Sequence, residues 1–220
     1  MEIYKPNFKY VYEIANEILL ISNTISYFPF SVTKMIAEMT DIQCRSFKRA
    51  VGYGIDIEAL GSESAVIVEK NGRCIIFYNE CEPEERVRFS LLHELGHYIL
   101  QHDLDTKDLE LYNKQEIEAN CFAAQILMPE QILLEFEHRG KRIDPSFLMN
   151  KFRVSKEAAI KRINTMRKIN VDSRSQNKQD FDEWLTIKHS AFLDSVLPQN
   201  NSINWFEDEY ERQKERDKWF

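Results

Sequence analysis

Cysteine is scarce in this 220-residue chain. The four present, Cys44, Cys74, Cys81 and Cys121, form no CxxC pair and no zinc-finger spacing. That argues against a disulfide framework or a cysteine-based metal site, and for reduced thiols in the cytoplasm. Cys121, beside Asn120, is expected to be a small buried residue. Long apolar runs are missing as well: none approaches the roughly 18 residues that would span a bilayer. The opening MEIYKPNFKY lacks the charged-then-apolar order of an export signal. The expectation is a soluble, unexported, cytoplasmic protein with no membrane partner.

What is present is enough for one substantial core. The chain is 43% hydrophobic and 30% charged, and at about 150 residues per domain its length suggests one domain plus an appendage. Its most informative stretch is LHELGH, Leu92 to His97, which sets two histidines four apart around a glutamate in an apolar helical segment. Residues at i and i+4 share a helix face, so His93 and His97 can direct ring nitrogens at one ion. Glu94 lies roughly 100° around from His93. There its carboxylate reaches a water held at the ion without ligating the ion, the place of a general base. With five histidines in the chain, the pattern is expected by chance about 0.01 times.

A catalytic zinc site usually has three protein ligands. A metzincin would supply the third through HExxHxxGxxH, but Leu100 stands where its glycine belongs and Asp103 where its third histidine belongs, so His102 does not serve. The better source is QEIEANCFAAQILMP, Gln115 to Pro129, where Ile117, Phe122, Ala123, Ile126 and Leu127 recur at helical spacing. Glu116 and Asn120 share a face of that helix, so a ligating carboxylate would have a supporting amide beside it. Glu118 competes. It lies about 200° around from Glu116, so only one of the two can face the metal, and the pattern favours Glu116.

His93, Glu94, Gly96 and His97, followed by Glu116, Ala119, Asn120, Phe122, Ala123, Ala124, Leu127, Met128 and Pro129, resemble the ImmA/IrrE family of metallo-endopeptidases. The approach RVRFSLLHELGH, Arg86 to His97, is similar too, as is the strand ending in Tyr78 and Asn79; the resemblance covers roughly residues 14 to 169. It implies an α+β, zincin-like core with a small β-sheet and an active-site helix, joined to a helical helix-turn-helix-like subdomain. His93, His97 and Glu116 would be the zinc ligands and Glu94 the catalytic base. Related glutamate-ligand zincins carry an aspartate four residues after the third ligand. Here Asn120 stands there, uncharged and a weaker support for a ligand histidine, which implies low or tightly regulated activity.

Elsewhere, Phe8, Val11, Tyr12, Ala15, Ile18 and Leu19 are spaced as an amphipathic helix, and Ser31 caps a second one through Met35, Ile36 and Met39. Two β-rich runs, Ala65 to Val68 and Cys74 to Tyr78, meet across Asn71-Gly72, a type I′ hairpin signal. By the resemblance, one of these strands adds main-chain hydrogen bonds to a substrate peptide. Tyr98, next to His97, reads as a packed aromatic.

From His138 to Lys168 the charge is +8 in a chain of −7, leaving −15 elsewhere. FLMNKFRVSKEAAIKRI, Phe147 to Ile163, is spaced as a helix-turn-helix whose second helix opens at Val154 and Ser155. Arg153 stands where that turn often has glycine and Met149 where a small residue would pack. This basic unit could meet DNA phosphates or an acidic protein. VDSRSQNKQD, Val171 to Asp180, reads as a linker. Phe181, Trp184, Leu185, Phe192, Leu193, Val196 and Leu197 then suggest one or two short helices that fold back on the core, broken by Pro198 and QNNS. EDEYERQKERDKWF at the end reads as a solvated helix or frayed tail. The domains expected are a peptidase core over 1–130, a basic helical subdomain over 131–170 and a linker with helical extension over 171–220.

The resulting expectation is a zinc endopeptidase whose protein substrate is a helix-turn-helix repressor of the XRE type. A regulator that binds zinc or a partner without cleaving, and a toxin-like protease held by an antitoxin, are the alternatives.

Overall fold

A computed structural model describes residues 4–59, 61–168 and 176–198. Helix α1 (Phe8–Ile21) starts at Asn7, whose side chain accepts from the Tyr10 N–H, and it buries Val11, Ala15, Ile18 and Leu19 on one face. Phe8, expected on that face, is 48% exposed: it sits in the first turn, over an open groove rather than over the core. Helix α2 (Val32–Met39) is capped by the Ser31 hydroxyl, as its sequence suggests.

Three strands make one sheet in the order β1 (Gln43–Ser46), β3 (Arg73–Tyr78), β2 (Ala65–Lys70), with β1 parallel and β2 antiparallel to the central β3. Asn71 and Gly72 join β2 to β3 at φ of 54° and 70°, the two positive values that a type I′ turn requires. Period-two alternation gives each face its own core. Ala65 and Ile76 face the main core, while Ile75 and Phe77 pack with Ala50 on the other side. That second cluster includes Phe47 of the short helix α3 (Phe47–Ala50) and Tyr53 of the 3-10 turn after it. β2 is left at the sheet edge, against the active-site helix.

That helix, α4 (Glu84–Ile99), packs along α5 (Leu109–Leu127), and α6 (Glu130–His138) follows at once. α5 begins six residues before the segment read from sequence, at an Asp108 cap that accepts from Glu110 and Leu111. Ile117 is not on its core face: it is 46% exposed and the core is filled by Ala119, Phe122, Ala123, Ile126 and Leu127.

Helices α7 (Pro145–Phe152) and α8 (Lys156–Met166) form the helix-turn-helix, the first capped by Asp144 and the second by Ser155. Between them Arg153 takes φ 48°. The turn therefore does demand the left-handed conformation, and an arginine adopts it at a cost of about 1–2 kcal/mol, while its guanidinium reaches Glu84 at 3.1 Å.

Two further helices, α9 (Gln176–Lys188) and α10 (Ser190–Val196), return to the body of the molecule. Leu185, Phe192 and Leu193 are buried in the same cluster as Val11 and Leu92. Phe192 lies 5.1–5.9 Å from the rings of Phe28, Phe136 and Phe152. Residues 176–180, read as linker, are instead the first turn of α9. Glutamine and lysine are good helix formers, and a solvated turn needs no apolar spacing. Residues 171–175, the QNNS stretch from 199 and the charged tail from 207 lie outside the described residues.

The fold is α+β and zincin-like. Among the described residues no helix is long and apolar enough to cross a membrane.

Candidate metal centre and active-site groove

Helix α4 carries His93, Glu94 and His97, and α5 carries Glu116; the two helices approach closely because α4 has glycine at the contact. A Cβ on Gly96 would stand 3.1 Å from Phe122 Cδ1 and 3.3 Å from the Ala119 backbone. This contact, one turn along from Glu116, sets how far the carboxylate stands from the histidines.

His93, His97 and Glu116 each offer a ligand atom within 4.8 Å of the others. The two Nε2 atoms are 3.0 Å apart, and the Glu116 oxygens lie 3.5 Å from His93 Nε2 and 3.3 Å from His97 Nε2. A tetrahedral ion with bonds of about 2.0–2.2 Å places its ligands about 3.3–3.6 Å apart. The two edges to Glu116 match such an ion, while the 3.0 Å edge between the histidines is about 0.3 Å shorter than it requires, so the rings would part slightly to hold one. Glu118 is not part of the triangle: its carboxylate lies on the other side of α5, 3.2 Å from His102 Nε2 and 2.6 Å from the Asn7 N–H.

The electrostatics match a site built for a cation. Burial, together with the neighbouring His97, pushes His93 down to about 4, so it is neutral and ready to ligate at pH 7. A hydrogen bond from His97, opposed by burial, holds Glu116 below the usual carboxylate range. The Asn120 amide, beside the His93 ring, opposes the fall at His93. Tyr112, one turn before Glu116 on α5, lies beside that carboxylate, whose charge raises the phenol; nothing in the sequence singled it out. Tyr98 is 46% exposed rather than packed.

Glu94 stands beside the triangle, and its Oε2 accepts from the Ile67 N–H of β2 at 2.9 Å. Burial raises it to about 7, against the lowering effect of His97 and of that hydrogen bond. A carboxylate poised near neutrality can both take and return a proton.

His102, set aside as a ligand, nevertheless belongs to the site. α4 ends in a Schellman turn, with the His102 N–H bonded to the His97 carbonyl at 3.0 Å, the Gln101 N–H to the Tyr98 carbonyl at 3.2 Å, and Gln101 at φ 55°. The turn folds residue 102 back over residue 97, so that the two Nδ1 atoms meet at 2.9 Å. Glycine at the left-handed position would have signalled this turn; Gln101 conceals it.

A groove of about 2030 Å³ opens over His93 and Glu94. One side is α1 with Phe8 and Tyr12; the other is α8, with Lys156 and Lys161. α8 is fixed there by Arg162, 3% exposed, which donates to the Met128 carbonyl at 2.9 Å, to the Tyr12 hydroxyl at 3.0 Å and to Gln125. Cys121 lines the groove, but burial pushes its thiol up to about 11, so it is not a nucleophile at pH 7.

An HExxH helix, a glutamate of the next helix within reach of both histidines, and a buried carboxylate against an edge strand form an arrangement that could hold an ion beside a base. Residues 52–164, more than half of the chain, match the IrrE N-terminal-like domain, peptidase M78. The protein belongs to that family and is a metallopeptidase of the ImmA/IrrE kind. The match includes the sheet's hairpin, α4 to α7 and nearly all of α8; α1, α2, α9 and α10 lie beyond it. No curated protein matches the chain.

Proposed function

We propose that the protein is a zinc-dependent endopeptidase acting in the cytoplasm on a polypeptide, and that this polypeptide is a helix-turn-helix repressor of the XRE type. The observation that carries the endopeptidase reading is the groove. At about 2030 Å³ it exceeds the roughly 300–1,000 Å³ of small-molecule sites, and its lining includes the loop before β2, Glu94 and α8. It has room for a chain rather than for a metabolite. The repressor rests on the family resemblance.

His93, His97 and Glu116 would hold the ion. When bound, zinc polarises the scissile carbonyl and acidifies water. Glu94 accepts a proton from the attacking water and delivers it to the departing amine as the C–N bond breaks. The edge of β2 stands ready for main-chain pairing with the substrate. Lys156 and Lys161 of the basic unit line the same groove.

Co-expression of the candidate repressor with wild type and with Glu94→Gln, with zinc content measured in both, tests the reading. Repressor loss with wild type only is expected. Equal loss with both proteins removes Glu94 from the reaction. Zinc bound without loss in either favours the non-cleaving regulator.

A further inference from the structure

The two ligand histidines are not equally supported. His93 has the neutral amide of Asn120 beside it. His97 has His102, and behind His102 stands Glu118, whose side chain is 7% exposed. The protons in this chain follow from one constraint. His97 directs Nε2 into the ligand triangle, so with an ion bound there its proton must be on Nδ1. That proton points at His102 Nδ1, 2.9 Å away, which must therefore be an acceptor. His102 then carries its proton on Nε2, a buried nitrogen that makes no hydrogen bond among the described residues; Glu118 Oε2 lies 3.2 Å from it, at ion-pair distance, and a small rotation of either side chain would bring the two into line.

The geometry points to Glu118 and His102 as a positioning pair that supports the metal through His97, a carboxylate relayed by an imidazole. This is the charge that Asn120 does not give to His93, restored at the other ligand. A carboxylate behind a ligand histidine fixes its tautomer and raises its basicity; here the effect is passed through one additional ring. Glu118 is itself anchored. Oε1 accepts from the Asn7 N–H at 2.6 Å, and Lys114 Nζ lies 3.8 Å away. Because Asn7 caps α1, the start of that helix is tied to His97 through Glu118 and His102. The inference rests on the reading of His93, His97 and Glu116 as a metal site, and it does not depend on what the enzyme cleaves.

Zinc affinity by chelator competition tests it in the full chain. His102→Phe keeps the ring volume and removes both nitrogens; a loss of about 10–100-fold is expected. Glu118→Gln should lose less, and His102→Asn, which places an amide oxygen near the lost Nδ1, should recover much of the affinity. Nitrogen-15 NMR of the zinc-loaded wild type supplies a readout that a packing role would not set: His97 protonated at Nδ1 and His102 at Nε2. Unchanged affinity in His102→Phe, or His102 protonated at Nδ1, overturns the inference while leaving the metal site standing. Failure of the wild type to bind zinc overturns both.

Discussion

Replacing Gly96 by alanine tests whether the contact between α4 and α5 governs the metal centre. In an unconstrained helix interior that change is favourable by about 1 kcal/mol, through helix propensity. Here the new methyl group would stand 3.1 Å from Phe122 Cδ1 and 3.3 Å from the Ala119 backbone, where ordinary contact starts at 3.4 Å. Phe122 is fully buried and Ala119 Cα cannot rotate away, so α5 must shift by a few tenths of an ångström. Overpacking of this kind costs about 1–3 kcal/mol. Offset by the propensity gain, the net loss is about 0–2 kcal/mol. The metal should feel the change more strongly than the fold does. Glu116 travels with α5 while both histidines stay on α4, and ligand distances are tolerant only to about 0.2 Å. A fall in zinc affinity of about tenfold or more is expected by chelator competition, beside a small loss in urea denaturation of the metal-free protein. A variant about 1 kcal/mol more stable than wild type, with unchanged zinc affinity, would refute the argument.

Two further outcomes follow from named residues. His189 is fully buried, 5.3 Å from the Phe28 ring, and burial and Lys188 push it down to about 4. Its neutral form is favoured in the folded state, so its contribution is intact above about pH 6.5 and is lost as pH falls towards 4; a loss of about 3 kcal/mol is expected over that window, absent in His189→Phe, by denaturant titration at each pH. Gln101→Gly relieves the left-handed residue of the Schellman turn and should raise stability by about 1 kcal/mol, with zinc affinity unchanged; a lower melting temperature would count against the turn.

Much of this architecture was legible because it depends on local signals. Asn71-Gly72 fixed the hairpin, Ser31 and Ser155 cap the helices they precede, and HELGH declared its helix and its chemistry together. β1 was not legible. QCRS is half-buried throughout, shows no alternation, and owes its extended form to parallel pairing with β3. Glu118 could be set apart from Glu116 by helical angle alone, but its partner could not be named, since His102 reaches it only through a turn whose glycine is missing. Ile117 and Phe8 mislead for one reason: each is apolar at a helical position that faces the groove, and periodicity does not distinguish a groove from a core.

The hydrogen bond between Glu94 and the Ile67 N–H has a consequence for timing. A peptide that adds itself to the edge of β2 at residue 67 needs the same N–H that the carboxylate holds at 2.9 Å. Pairing of a chain at residue 67 and release of Glu94 Oε2 are then a single exchange, so the arrival of a strand and the freeing of that oxygen would coincide.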